Sequence, residues 1–210
     1  MSESDAGASP RAHDRYWLVL GARALVALVI GLVVTFSSDH SAGFGHASFG
    51  ALALALGAVA MAGAIALQTG IDRALFAVNG ILGIVAGLVS LFTPASGAAF
   101  FFFLVSGWAV ITGFLELYLG IRSRRMTAVA RDWIFAGGLS VLLAVVVLLV
   151  PANFTQSFTG PDQVERTLTG TIVVVGAIGA YAAVLGVYLV IAALSLRWTR
   201  SGSTTTEVVR

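Results

Sequence analysis

Six stretches of this chain are apolar on every side and show no polar stripe. They cover residues 16–36, 49–67, 74–93, 99–120, 133–150 and 171–196. At about 1.5 Å rise per residue, a helix of about 20 residues crosses a hydrocarbon core of about 30 Å. A helix that is apolar all round belongs in lipid or a deep core, not at a water boundary. The pattern predicts an all-α integral membrane protein with six transmembrane helices. A turn at 37–48, a tight connection at 68–73, a basic loop at 122–132 and a longer polar loop at 152–169 separate them. Residues 1–15 read as a disordered tail and 198–210 as a second polar tail, which leaves 16–197 as the membrane domain. The first run exceeds the ~7–15 apolar residues of a signal-peptide core, so it reads as a retained helix.

Residues 79–122 read as a helical hairpin, two apolar runs joined at Pro94 and a short ASGA turn. Gly83 and Gly87 stand four apart, with Pro94 seven further on. A shift of 57 lays Ser140, Ala144 and Pro151 on these positions, and a shift of 56 the other way lays Ala27, Gly31 and Ser38 on them. Gly107, Gly113 and Gly120 fall on Gly57, Gly63 and Gly70 at a shift of 50, and Gly186 can be laid on Gly113. Self-similarity of this kind points to three copies of one hairpin. Small residues four apart let two helix backbones approach closely in lipid, where hydrophobic drive between helices is weak. Ala27, Gly31, Gly83, Gly87, Ser140 and Ala144 are therefore expected to pack the odd-numbered helices against their neighbours. A hinge or pore lining is the alternative role.

Composition supports the membrane class. The chain is 58% hydrophobic and 10% charged, with a mean hydropathy of +0.96, whereas soluble domains carry about 25% charged residues. There is no Cys, which excludes disulfides and thiolate metal sites. Every basic residue is Arg, which removes the lysine of a Walker phosphate loop and of a Schiff base. Counted by side, Arg11, Arg15, Arg73, Arg122, Arg124, Arg125, Arg131, Arg197, Arg200 and Arg210 fall with the chain ends, and Arg166 alone falls opposite. This bias predicts cytoplasmic N and C termini. The same arginines could attract anionic lipid headgroups; they serve topology rather than nucleic acid.

Two ionisable residues fall inside the runs. Arg23 lies about 10 Å in from Tyr16, and Glu116 about 6 Å in from Gly120, at the same end of the bundle. Ions in a membrane interior normally face the bundle and find a partner. An Arg23–Glu116 pair, joined by Asn79, is the candidate intramembrane polar site. Its two readings are a proton-responsive or ion-handling site and a structural ion pair. His40 and His46, read as lying in the first outer loop beside Asp39, are a candidate pH-sensing pair. Trp17, Trp133 and Trp198 read as an interfacial belt, Phe100 to Phe103 as lipid-facing bulk, and Trp108 as core or lipid-facing. No histidine and no aspartate is expected within a span, which argues against intramembrane serine, zinc and aspartyl proteases. The expectation is a protein that is not an enzyme and carries no cofactor or metal.

The ordered set GARALVALVIGLV (21–33), GILGIVAGLVSLFTP (80–94), GWAVITGFLEL (107–117), GGLSVLLAVVVLLVP (137–151) and GAIGAYAAVLGVYLVIAALSLR (176–197) resembles the HdeD-like acid-resistance family of six-helix bacterial membrane proteins. The resemblance spans roughly 16–197. Ser38 departs from the family's proline and Ala62 from an acidic residue before Gly63. The resemblance implies a bacterial inner-membrane protein acting in acid or envelope stress, without transferable site residues. A proton or small-solute transporter and a structural or assembly protein, homo-oligomeric through its small-residue faces, are the competing readings.

Overall fold

The computed structural model describes residues 10–67, 70–122, 127–159 and 165–206, with side chains for 16–66, 72–122, 130–159 and 165–198. Six long helices dominate: α1 Pro10–Phe36, α2 Ala42–Leu67, α3 Gly70–Phe92, α4 Ala98–Arg122, α5 Thr127–Leu149 and α6 Gly170–Thr206. Each contains a stretch long and apolar enough to cross a membrane. Helices close their own backbone hydrogen bonds, as lipid requires. Large exposed apolar side chains such as Leu25, Leu32, Phe92, Phe103 and Leu148 face outward.

The helix ends differ from the sequence reading. α1 begins at Pro10, inside the stretch read as a tail, and α6 continues to Thr206. Residues 1–9 and 207–210 lie outside the described residues. α2 begins at Ala42, seven residues before the expected start. Its first turn is organised by side chains: the Asp39 carboxylate accepts from the Ser41 amide at 2.8 Å, and the Ser41 hydroxyl accepts from the Phe44 amide at 3.3 Å. The Ser41 amide holds the exposed Asp39 carboxyl below the usual carboxylate range. Such capping starts a helix where hydropathy alone is silent. Between α3 and α4, Gly97 takes φ +85°, a left-handed conformation that suits glycine. The loop read at 152–169 holds a two-stranded antiparallel hairpin, β1 Thr155–Thr159 and β2 Glu165–Thr169, paired Thr155 with Thr169 and Thr159 with Glu165. Its threonine-rich strands suit β structure, and Thr169 then caps α6.

The even helices α2, α4 and α6 meet one another along the centre, and each odd helix packs outside them. The most extensive contacts are α2 with α3, α4 with α5, and α1 with α6. The closest units are therefore not the sequence hairpins α1–α2, α3–α4 and α5–α6, which pack more loosely. Residues 79–122 form one of these loose pairs. Backbone approach explains the difference. A methyl group on Gly57 would stand 2.6 Å from the Ile84 nitrogen, on Gly113 3.0 Å from the Val141 nitrogen, and on Gly186 2.9 Å from the Leu28 nitrogen. Gly57 and Gly113 thus occupy like positions. They set the α2-to-α4 offset at 56 (113 minus 57), not the 50 read from the glycine spacing. The odd-helix shifts of 56 and 57 agree with Leu28, Ile84 and Val141.

Among the six expected packing residues, Gly31 meets Ala183 of α6, Gly83 meets Gly57, and Gly87 meets Gly50 and Leu54 of α2. Ala27 and Ala144 are buried in the main core. Ser140 is buried between α5 and α6, where it bonds to Tyr181, while Gly137 carries the close backbone approach of α5 to α4.

Candidate functional site

Arg23 on α1 and Glu116 on α4 meet in the bundle interior. The Arg23 Nη2 donates to Glu116 Oε1 at 2.5 Å, and both side chains are buried. The guanidinium also lies 4.8 Å from the ring centroid of Trp133 on α5. A cation over an aromatic face gains electrostatically, most where water is excluded. Trp133 is therefore buried beneath Arg23, not part of an interfacial belt; Trp198 is exposed, and Trp17 lies 5.7 Å from the Arg197 guanidinium.

A cavity of about 20 Å³ adjoins the pair. Arg23, Asn79, Trp108, Thr112, Glu116, Ser140 and Tyr181 supply its polar lining, and Leu56, Gly57, Ala60 and Gly83 complete it. Roughly 10–15 Å³ suffices for one water. Among the described residues, Glu116 Oε2, Trp108 Nε1 and the Tyr16 hydroxyl are buried without a hydrogen-bond partner. Three of the lining hydroxyls are spoken for: Thr112 donates to the Trp108 carbonyl at 2.7 Å, and Ser140 lies 3.1 Å from the Tyr181 hydroxyl. Asn79 is buried in the wall of the same cavity, so three residues distant in sequence share one site.

A second buried acid lies nearer the face where α1 begins and α6 ends. Asp132 on α5 accepts from the Tyr188 hydroxyl of α6 at 3.0 Å, and the Tyr188 ring stacks on Phe135 at 3.8 Å. Asp132 falls inside the membrane-length part of α5, Ala130–Leu149, which corrects the expectation that no span holds an aspartate. Sequence reading placed it in the basic loop because the apolar run begins one residue later.

The two histidines do not form a pair. His40 stays in the 37–41 turn, while His46 is fully buried within α2. This corrects both its placement in a loop and the expectation that no span holds a histidine. Its Nδ1 lies 3.1 Å from Ser90 Oγ and its Nε2 3.3 Å from Ser96 Oγ. Both hydroxyls also donate to carbonyls, Ser90 to His46 at 2.8 Å and Ser96 to Thr93 at 2.7 Å. An aromatic column links this cluster to the cavity: His46 to Phe101 at 4.8 Å, Phe101 to Phe49 at 6.3 Å, Phe49 to Trp108 at 5.4 Å, and Trp108 to Tyr181 at 6.3 Å. Phe101 and Phe102 are thus core rather than lipid-facing bulk, while Phe103 does face outward. No group of three potential metal ligands occurs among the described residues.

Fold and site define a multi-pass membrane protein with an ion pair buried in its core. Residues 78–150, from α3 through α4 to the end of α5, match the model of a short repeat of unknown function (DUF308). No curated protein and no solved structure matches the chain.

Proposed function

We propose that this is a non-enzymatic bacterial plasma-membrane protein of HdeD-like type, acting in resistance to acid or related envelope stress, with Glu116 as its acid-responsive group. The observation that carries this reading is the buried carboxylate with one oxygen held by Arg23 and the other open to a polar cavity. Such a carboxylate changes charge only when protons reach it, and losing that charge leaves Arg23 without its counter-ion. The short-repeat match over α3–α5 supports the same family type. The arginine bias supports cytoplasmic termini, where anionic headgroups would be drawn to Arg73, Arg122 and Arg131. Survival of an acid challenge tests the reading. A deletion strain should regain survival with the wild-type chain and not with Glu116→Gln at equal expression; full rescue by that variant overturns the role of Glu116.

Proton or solute transport is the second reading, favoured by the same buried pair. Proton flux in proteoliposomes separates them: flux abolished by Glu116→Gln supports transport, and no flux leaves a responsive or assembly role. Three like helix–helix interfaces, at Gly57, Gly113 and Gly186, support a threefold hairpin repeat as the architecture. That arrangement differs from the paired inverted halves of many transporters.

A further inference from the structure

The loosely packed hairpins part on their outer side. A crevice of about 240 Å³ runs between α3 and α4, and one of about 220 Å³ between α5 and α6. The internal repeat relates the two residue by residue. Leu82, Val85 and Val89 of α3 line the first, and Leu139, Leu142 and Val146 of α5 line the second at a shift of 57 (139 minus 82). Gly107, Trp108 and Ile111 of α4 answer to Ala180, Tyr181 and Val184 of α6 at a shift of 73 (181 minus 108). The same shift lays Gly113 on Gly186 (186 minus 113). An accidental gap has no reason to recur at matched positions. In the third pair, α1 and α2 pack more closely, and the fully buried Leu52 stands where the rings do (108 minus 56).

Each crevice has open lips and an aromatic floor. Val85 and Ile111 of the first, and Leu142 and Val184 of the second, are half-exposed and belong to the outward apolar surface of the spans. Trp108 and Tyr181 are buried, and each lines both its crevice and the polar cavity beside Arg23 and Glu116. The Tyr181 hydroxyl is bonded to Ser140, in the wall of that cavity. Val89 lies three residues from the end of α3 at Phe92, and Leu82 ten residues from it. At about 1.5 Å per residue, the first crevice therefore runs from about 5 to about 15 Å below the face away from the chain ends. That is one half of a hydrocarbon core of about 30 Å.

We propose that each crevice seats one hydrocarbon chain of a membrane lipid, drawn from the leaflet away from the chain ends, with Trp108 and Tyr181 as the floors of the two seats. The surroundings and the size decide the occupant. The lips continue the surface that faces the bilayer, and at this depth the medium is hydrocarbon. The walls are apolar apart from the two rings that form the floors. A single helical turn, about 10 Å across and about 5.4 Å long, occupies about 400 Å³, so a helix of a second copy does not enter either crevice. A hydrocarbon chain is thin and flexible enough to follow the wall, and it restores dispersion contacts that a gap forfeits. A chain so seated lies one aromatic ring away from the Arg23–Glu116 cavity. The seats do not depend on how Glu116 responds to acid.

Gly107 supplies the test, because a methyl group there meets no atom within 4 Å. A larger side chain at this position fills the crevice without displacing a neighbour. The full chain carrying Trp17→Phe and Trp198→Phe is reconstituted in phosphatidylcholine vesicles, with or without bromine atoms at mid-chain of the lipid. The Trp108 share of the fluorescence is the part that Trp108→Phe removes. Brominated lipid should quench that share although Trp108 is buried. Gly107→Leu should remove most of the quenching, and Gly107→Ala a smaller part; the latter serves if the leucine variant does not fold. Ala180→Leu, which fills the other crevice, should leave it unchanged. Quenching that persists in full in the Gly107 variants places the lipid chains outside the crevice and overturns the seats. Absence of quenching overturns them as well. Quenching that is weak at high protein-to-lipid ratio and grows on dilution shows that a second copy covers the crevice instead.

Discussion

The two ends of the aromatic column hold buried polar clusters built on opposite principles. At one end His46 has both ring nitrogens within reach of serine oxygens, and each serine also binds a carbonyl. Every member has a partner. At the other end Arg23 and Glu116 carry full charges, yet one carboxylate oxygen and the Trp108 indole nitrogen have none. Burying an unpaired polar group costs about 1–3 kcal/mol, and an unpaired charge far more. The His46 cluster is what architecture needs to bury a histidine. The Arg23–Glu116 cluster holds more polarity than its bonds satisfy, and such incomplete sites are where function is expected.

The difference is largest when one partner is removed. Arg23→Ala leaves Glu116 buried without its counter-ion and should destabilise by about 3–5 kcal/mol. Reversible unfolding in mixed micelles measures it. Adding Glu116→Gln should recover much of that loss, because the neutral amide no longer needs the cation. Additive losses in the double mutant would show that the two groups do not interact and would erase the contrast between the clusters.

Glycines near the two clusters give the next test. Gly57 lines the cavity, and a methyl there would stand 2.6 Å from the Ile84 backbone nitrogen and 2.7 Å from the Gly80 carbonyl oxygen. Gly45, beside His46, would press instead on the side chains of Val175 and Phe101 at 2.8 and 2.9 Å. Backbone cannot step aside as a side chain can. Gly57→Ala should therefore cost about 1–3 kcal/mol, and Gly45→Ala less. The same unfolding assay decides, and the reverse order would mean that the cavity end is the more yielding one.

At the His46 end, Ser90→Ala removes an oxygen shared between α2 and α3. Interhelical hydrogen bonds in membranes average about 0.6 kcal/mol and reach about 1.7. The loss should fall in that range, far below that of Arg23→Ala. A loss as large as that of Arg23→Ala would show that His46 carries a charge requiring its serines.

How much of this was legible in the sequence follows from what each signal measures. Hydropathy found all six helices because lipid exposure makes a helix apolar all round. It could not find the start of α2, which Asp39 and Ser41 set by capping, nor the threonine-rich hairpin at 155–169. Arg23 and Glu116 were legible because a charge in an apolar run is costly and has few places to go. Asp132, one residue outside the apparent run, was not. Nor was His46, because a polar segment of glycine, serine and histidine reads as a turn until burial is known. The small-residue spacing identified close packing but not its partner. Glycine steps say that a backbone approaches, whereas the choice of α2 over α4 as the neighbour of α3 lies in both helices at once.

The smallest effect is the most direct probe of incompleteness. The Trp108 indole nitrogen is buried with no partner, and its ring packs edge-on to both Phe49 and Tyr181. Trp108→Phe removes the unpaired donor and keeps an aromatic ring in the column. Eliminating the buried donor returns part of its desolvation cost, about 1–3 kcal/mol, while the smaller ring loses contacts of about the same size. The two terms oppose each other, so stability should change by less than about 1 kcal/mol. Tyr181→Phe is the matched comparison, since the Tyr181 hydroxyl is bonded to Ser140 at 3.1 Å and its loss leaves Ser140 one partner short. Trp108→Phe should therefore be the milder of the two. If it is instead the more damaging, the indole donor is satisfied within the cavity, and the Glu116 end of the column is as complete as the His46 end.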